Sequence, residues 1–206
     1  MVIAIDGPAG AGKSTVARAV AERLGFTYLD TGAMYRAVAL AAGRSGRPAG
    51  EVAAAVAIEV GDRVRLDGED VTDAIRTPEV SAGASRVAAD PSVRAALVRK
   101  QQAIIEHGDW VAEGRDIGSV VAPEAAVKVF LTASPDERAR RRAAQTGGDP
   151  EQVLNAQHER DRRDGTAERT VLEPAPDAVP VDTTGLTLDE VVAQIEMLAV
   201  EAKELR

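Results

Sequence analysis

The stretch Val2-Ile3-Ala4-Ile5-Asp6-Gly7-Pro8-Ala9-Gly10-Ala11-Gly12-Lys13-Ser14-Thr15 decides how this chain folds. Val2 to Ile5 are apolar without alternation, and three of the four are β-branched, as in a strand buried on both faces. Gly7 to Gly12 interrupt the run. From Ser14, the apolar residues Val16, Ala17, Val20, Ala21 and Leu24 recur at helical spacing, and Gly25 supplies a helix stop. Between strand and helix, Gly7 to Ser14 follow the spacing Gly, four residues, Gly-Lys-Ser. Glycines there permit a tight turn whose backbone N–H groups point inward, and the helix aims its positive dipole end at the same place. The spacing points to a bound nucleoside triphosphate held by Gly7, Pro8, Ala9, Gly10, Ala11, Gly12, Lys13, Ser14 and Thr15. Lys13 would bridge the terminal phosphates and the Ser14 hydroxyl would hold Mg²⁺. A phosphate loop does not by itself name a reaction.

The pattern continues along the chain. Strands are expected at about 26–29, 110–112, 127–131 and 179–182, the last at a sheet edge because it contains Pro180. Helices are expected from after Gly32 to near Gly43, and at about 79–88, 91–106, 135–145 and 151–163. A closing amphipathic helix is expected over Leu188 to Leu205. Asp67-Gly68 reads as a turn between two short exposed strands, and residues 44–80 otherwise read as irregular. Strands alternating with helices imply a parallel sheet covered on both faces, here in one α/β domain of the phosphate-loop NTPase type.

Composition narrows the function. The 206 residues are 45% hydrophobic and only 2% aromatic, which favours packed helices over a β-sandwich. A formal charge of −8 argues against binding a nucleic-acid polymer, whose backbone needs a basic face. The absence of cysteine excludes disulfides, thiolate metal sites and cysteine nucleophiles, and two histidines do not make a multi-histidine centre. No segment reads as a signal peptide or membrane span, so a cytoplasmic location is expected; nothing in the sequence demands more than a monomer.

Two further segments, Asp30-Thr31-Gly32-Ala33-Met34-Tyr35-Arg36 and Gly114-Arg115-Asp116-Ile117-Gly118-Ser119-Val120-Val121, together with the phosphate loop, resemble the bacterial cytidylate kinases. Asp67 to Thr72, Ile75 to Val80 and Val127 to Ser134 extend the resemblance over nearly the whole chain. It implies transfer of phosphate from ATP, with Mg²⁺, to CMP or dCMP. It also implies a five-stranded parallel sheet (core about 1–32, 108–142 and 163–206) with a monophosphate-binding insert at about 33–107 and a short lid at about 143–162.

By the same resemblance, Arg36, Arg115 and Arg160 hold the acceptor phosphate. Ser85, Arg94 and Asp164 read the pyrimidine and its sugar, Thr31 and Tyr35 line the pocket, and Asp116 orients Arg115 or the base. Asp30 plays a supporting role, and Asp182 to Leu186 lie against the adenine. The residue types fit this chemistry, because a phosphoryl group moving between two anions needs converging positive charge, and arginine binds phosphate oxygens bidentately. Read without the family, Arg36 and Arg94 equally suit a solvated helix face, Thr31 a helix cap, and Tyr35 the core.

Arginines crowd two helices about the lid. Arg138, Arg142, Arg160 and Arg163 are the expected catalytic set alongside Lys13, and closure of the lid delivers them to the γ-phosphate. Arg140 and Arg162 read as solvated. After Asp164 the sequence departs from the family's usual Ser-Thr-Arg. Ala167 stands where an arginine for the monophosphate is expected, and Arg169 lies two residues on. Phosphate-loop kinases of other acceptors, such as UMP, AMP or shikimate, are the nearest alternative. A GTPase switch is more remote, for no Asn-Lys-x-Asp guanine motif follows a strand.

Overall fold

The computed structural model describes residues 1–146, 154 and 173–204, without the side chains of Arg142, Gln145 and Thr146. The chain divides into two compact units, Met1–Tyr28 with Asp109–Arg206, and Leu29–Gly108.

A five-stranded sheet, all of it in the first unit except Leu29 and Asp30 of β2, has the order β2-β6-β1-β7-β8. Its strands are β1 (Val2–Asp6), β2 (Thr27–Asp30), β6 (Trp110–Gly114), β7 (Val127–Thr132) and β8 (Val179–Asp182). Pairing of β1 with β6, β1 with β7, and β7 with β8 is parallel throughout. This is the parallel α/β sheet that the alternating pattern predicts. Ile3, Ala4 and Ile5 have no exposed surface, so β1 is covered on both faces. Pro180 lies on the edge strand β8, where its missing N–H costs no ladder bond.

Ile3, Ile5, Val111, Val129, Leu131 and Val181 share one face of this sheet. They pack with Val16, Ala17 and Val20 of α1 (Lys13–Leu24) and Val192, Ile195 and Ala199 of α7 (Leu188–Glu204). Each large aliphatic buried there contributes about 1.5–3 kcal/mol. Gly25 ends α1 in the left-handed conformation (φ 67°), with its N–H on the carbonyls of Ala21 and Glu22. At the start of α7, Thr187 and Glu190 form a reciprocal capping box. Between β7 and α7 comes α6 (Pro135–Thr146), which carries the arginine cluster.

Residues 44–80 hold more regular structure than their composition suggests. They contain α3 (Ala49–Ala55), and a small antiparallel sheet of β3 (Ile58–Val60), β4 (Val64–Leu66) and β5 (Glu69–Asp70). These strands are two or three residues long, too short to show a period in sequence. Asp67 and Gly68 both take positive φ (49° and 86°), as a tight two-residue hairpin requires. Also in this second unit are α2 (Thr31–Ser45), α4 (Pro78–Val87) and α5 (Pro91–Ile105). Thr77 and Asp90 cap α4 and α5 through their side chains, each followed by proline at the first helical position. α2 packs along α4, where Gly83 permits close approach: a Cβ there would stand 3.3 Å from Cβ of Ala39.

Two expectations shift. The second strand ends at Asp30, and α2 begins at Thr31 rather than after Gly32. The cap is therefore Asp30, whose Oδ1 accepts the Ala33 N–H at 2.8 Å, and Thr31 is the first residue inside the helix. A π-helical turn, Ile117–Val121, follows β6, and the 3.6 period gives no sign of it.

Candidate active site

The phosphate loop is assembled from β1, the glycines and α1. Gly7, Gly10 and Gly12 all take positive φ (148°, 80° and 89°). Gly7 is also pressed against β7, where a Cβ would stand only 2.1 Å from the Leu131 carbonyl oxygen. Gly12 occupies the cap position of α1 and offers no side-chain acceptor to the helix's first N–H groups. Those donors keep their affinity for an anion. Ser14 and Thr15 are exposed on the first turn. Lys13 Nζ donates to the Pro8 carbonyl at 2.8 Å, which arches its ammonium over the loop. Uncapped N–H groups, a lysine over the loop and an exposed serine hydroxyl fit a triphosphate with its Mg²⁺.

The arginine helix α6 reaches this loop through two residues. Arg138 is buried, and its Nη1 donates to the Ala9 carbonyl at 3.2 Å. Arg141, which the sequence reading passed over, is held at all three nitrogens. Its Nε donates to Glu137 Oε1, its Nη1 to Thr183 Oγ1 and its Nη2 to the Thr183 carbonyl, each at 2.8 Å. Its Nη1 would lie 3.6 Å from a Cβ at Gly12. Thr183 is buried, and its hydroxyl lies within hydrogen-bond distance of the Thr132 and Ala11 carbonyls (3.0 and 3.4 Å). Arg141 and Thr183 thus tie α6, the Asp182–Leu186 loop and the phosphate loop together. The pairing of Arg141 with Glu137 was readable as i,i+4, whereas Thr183 lies 42 residues away in sequence. Arg140 is exposed and paired with Glu137 at 2.8 Å. Hydrogen bonds from Arg140 and Arg141 hold the Glu137 carboxyl down to about 2.

Arg115 and Asp116 follow β6, both half-buried. Asp116 takes the cap position of the π-helical turn. The turn is fastened to β1, because Asp6 Oδ1 accepts the Ile117 N–H and Asp6 Oδ2 the Gly118 N–H, both at 2.8 Å. Nothing in the sequence assigns Asp6 a role.

In the other unit, Arg36 is fixed on Asp30, Nη2 to Oδ2 at 2.8 Å. Asp30 therefore both caps α2 and holds Arg36. Gly32 leaves room for the pair, since a Cβ there would stand 3.1 Å from Asp30 Oδ1 and 3.2 Å from Arg36 Nη1. The Arg36 Nε is buried and has no hydrogen-bond partner among the described residues. A buried cationic donor of this kind calls for an acceptor oxygen. Thr31 is buried, while Tyr35, Ser85 on α4 and Arg94 on α5 are half-buried. Gln101, two turns beyond Arg94, is buried with its Nε2 unpartnered among the described residues. Neither charge nor motif marks it in sequence. Arg160, Arg163, Asp164, Ala167, Arg169 and the Arg142 side chain lie outside the described residues, as do 147–153 and 155–162 of the expected lid.

A parallel sheet, a glycine loop feeding a helix, and a buried arginine set against that loop define the fold class of phosphate-loop phosphotransferases. Solved structures with this fold include a gluconokinase from Sinorhizobium meliloti (TM-score 0.50, 21% identity, 99% of this chain and 94% of that one). The sequence is more specific: it matches the cytidylate kinase family over residues 3–201, and the chain belongs to that family. It is 54% identical over 205 residues to the cytidylate kinase of Solibacter usitatus, covering 93% of this chain and 88% of that protein. It is 50% identical to the cytidylate kinase of Pelotomaculum thermopropionicum, covering 94% and 93%. A bifunctional pantoate ligase/cytidylate kinase from Synechococcus is 49% identical over 96% of this chain and 44% of its own length.

Proposed function

We propose that this chain transfers the γ-phosphoryl group of ATP to CMP or dCMP, giving ADP and CDP or dCDP. The observation that carries the reading is the family match over residues 3–201. The intact Lys13 and Ser14, the fixed Arg36 and the buried Arg138 support it.

The loop from Gly7 to Gly12 and the α1 N-terminus bind the donor phosphates through backbone N–H groups. Lys13 spans the phosphates that separate during transfer. Ser14 would hold Mg²⁺, which supplies charge neutralisation between the β- and γ-phosphates. Arg138, at the phosphate loop, stabilises charge on the moving group, and we assign the same task to Arg142, Arg160 and Arg163. Arg36 and Arg115, with Arg160, hold the acceptor phosphate. Thr31, Tyr35, Ser85, Arg94, Asp116 and Asp164 enclose and read the nucleoside. Residues at about 33–107 form the acceptor-binding insert, and about 143–162 the lid. No general base is required, because phosphoryl transfer of this kind is carried by positioning and charge stabilisation. We place the protein in the cytoplasm as a monomer.

The test is a coupled ADP-release assay with ATP, Mg²⁺ and a panel of acceptors. CMP and dCMP should give turnover at least tenfold above UMP, AMP and shikimate. Preference for any of the other three acceptors would overturn the reading, as would GTP hydrolysis indifferent to acceptor.

A further inference from the structure

The mechanism above makes no use of Asp6, which closes β1 immediately before Gly7 and is 6% exposed. β1 and β6 are parallel neighbours with Asp6 opposite Gly114, so its carboxylate reaches across to the turn that follows β6. Both oxygens are engaged there at 2.8 Å, by the N–H groups of Ile117 and Gly118. Those N–H groups open a helical turn and have no acceptor of their own within it. Ile117 and Gly118 are buried, so without Asp6 the two donors would be stranded away from water. The turn has little room to retreat, because a Cβ at Gly118 would already stand 3.2 Å from Cδ of Lys128. Arg115 and Asp116 directly precede these two donors.

We propose that Asp6 is a positioning residue for the acceptor, fixing Arg115 and Asp116 relative to the phosphate loop by clamping two successive backbone N–H groups. The proposal rests on the assignment of Arg115 to the acceptor phosphate. The clamp needs the ionised carboxylate, since only that form accepts at both oxygens. Burial, with Asp116 beside it, pushes the Asp6 carboxyl up to about 6 against the two N–H bonds and Lys13 on α1. On β7, Lys128 is engaged with Asp177 at 2.7 Å. The clamp therefore loosens just below neutral pH.

The experiment compares wild type, Asp6→Asn and Arg115→Ala by steady-state kinetics and by calorimetric titration with CMP and, separately, with ATP. Asparagine turns an N–H donor toward one of the two N–H groups and loses that bond. Asp6→Asn should weaken CMP binding by ~10–100-fold, as loss of a charge-assisted hydrogen bond does, and ATP binding by less than about threefold. Wild type followed from pH 8 to 5 should converge on the asparagine variant with a midpoint near 6. The P-methyl ester of CMP, whose phosphate keeps one charge over that range, isolates the protein's titration and needs only the wild type. Unchanged CMP affinity in Asp6→Asn, equal weakening of CMP and ATP, or a flat ester titration would overturn the proposal. If Arg115→Ala leaves CMP binding intact, the assignment beneath it fails. If Arg115→Ala weakens CMP and Asp6→Asn does not, only the role of Asp6 fails.

Discussion

Replacing Gly7 by alanine would set a methyl carbon 2.1 Å from the Leu131 carbonyl oxygen and 3.1 Å from its carbonyl carbon. Carbon and oxygen rest at about 3.3–3.6 Å even in the closest attractive contacts. The phosphate loop or β7 must then give way by about 1 Å. Leu131 is completely buried in the sheet and paired with Val181 on β8, so the loop is the part that moves. Overpacking of this kind costs about 1–3 kcal/mol. A side chain at φ 148° adds about 1–3 kcal/mol of backbone strain. The sum, roughly 2–6 kcal/mol, predicts a fall in Tm of about 5–20 °C for a chain of this length. Gly12→Ala is the internal comparison. There φ is 89°, but the nearest contact, Arg141 Nη1 at 3.6 Å, is ordinary. Only conformational strain of about 1–2 kcal/mol remains, a fall of about 2–8 °C. Thermal melts followed by circular dichroism, with ATP titrations on the folded protein, measure both. Gly7→Ala should lose ATP affinity at least ~100-fold, since the donors of the loop are displaced. A Gly7→Ala protein that melts within 2 °C of wild type, or no lower than Gly12→Ala, would refute the steric argument.

Other variants probe separate parts of the site. Arg138→Ala should lower kcat by ~10²–10³ with CMP affinity retained, since a donor to the moving phosphoryl group is removed; single-turnover quench-flow would show it. Arg141→Ala breaks two bonds between α6 and the Thr183 loop, and a third to Glu137 on α6 itself. Its KM for ATP should rise about tenfold with KM for CMP unchanged, and equal changes in both would deny the donor-side role. Ala167→Arg, which restores the family's usual residue, should lower KM for CMP, and an unchanged or raised KM would mean that the acceptor site is already complete. Asp6 also carries a stability prediction. Its folded carboxyl is raised from 3.8 to about 6, so its favourable contribution is full below pH 4 and lost as pH climbs through 6. The rise corresponds to about 3 kcal/mol. Urea melts should therefore show Asp6→Asn gaining stability relative to wild type between pH 4 and 7.5; a constant difference would contradict the burial cost.

Much of the phosphate loop was legible because it is contiguous. Three glycines, a lysine and a serine at fixed spacing, between an apolar run and a helical period, dictate a loop of inward N–H groups wherever they occur. Short-range rules also foretold the Gly25 stop, the Asp67-Gly68 turn, the Asp90-Pro91 helix start and the edge position of Pro180. The π-helical turn and the two-to-three-residue strands escaped, because neither leaves a periodic trace. The cap of α2 was misplaced by one residue, since Asp30 and Thr31 are both good caps and only the backbone chooses between them.

By itself, then, the sequence determined the fold class, the phosphate loop and the family. Each follows from backbone preferences over a few residues or from motif order along the chain. Tertiary structure alone decided which side chains serve the loop. Asp6 meets Ile117 and Gly118 across 111 and 112 positions, Arg141 meets Thr183 across 42, and Gly7 lies against Leu131. These partnerships depend on the order β6-β1-β7-β8. Hydrophobic periodicity says that a strand is buried, but its neighbours are set by how the whole sheet closes its core.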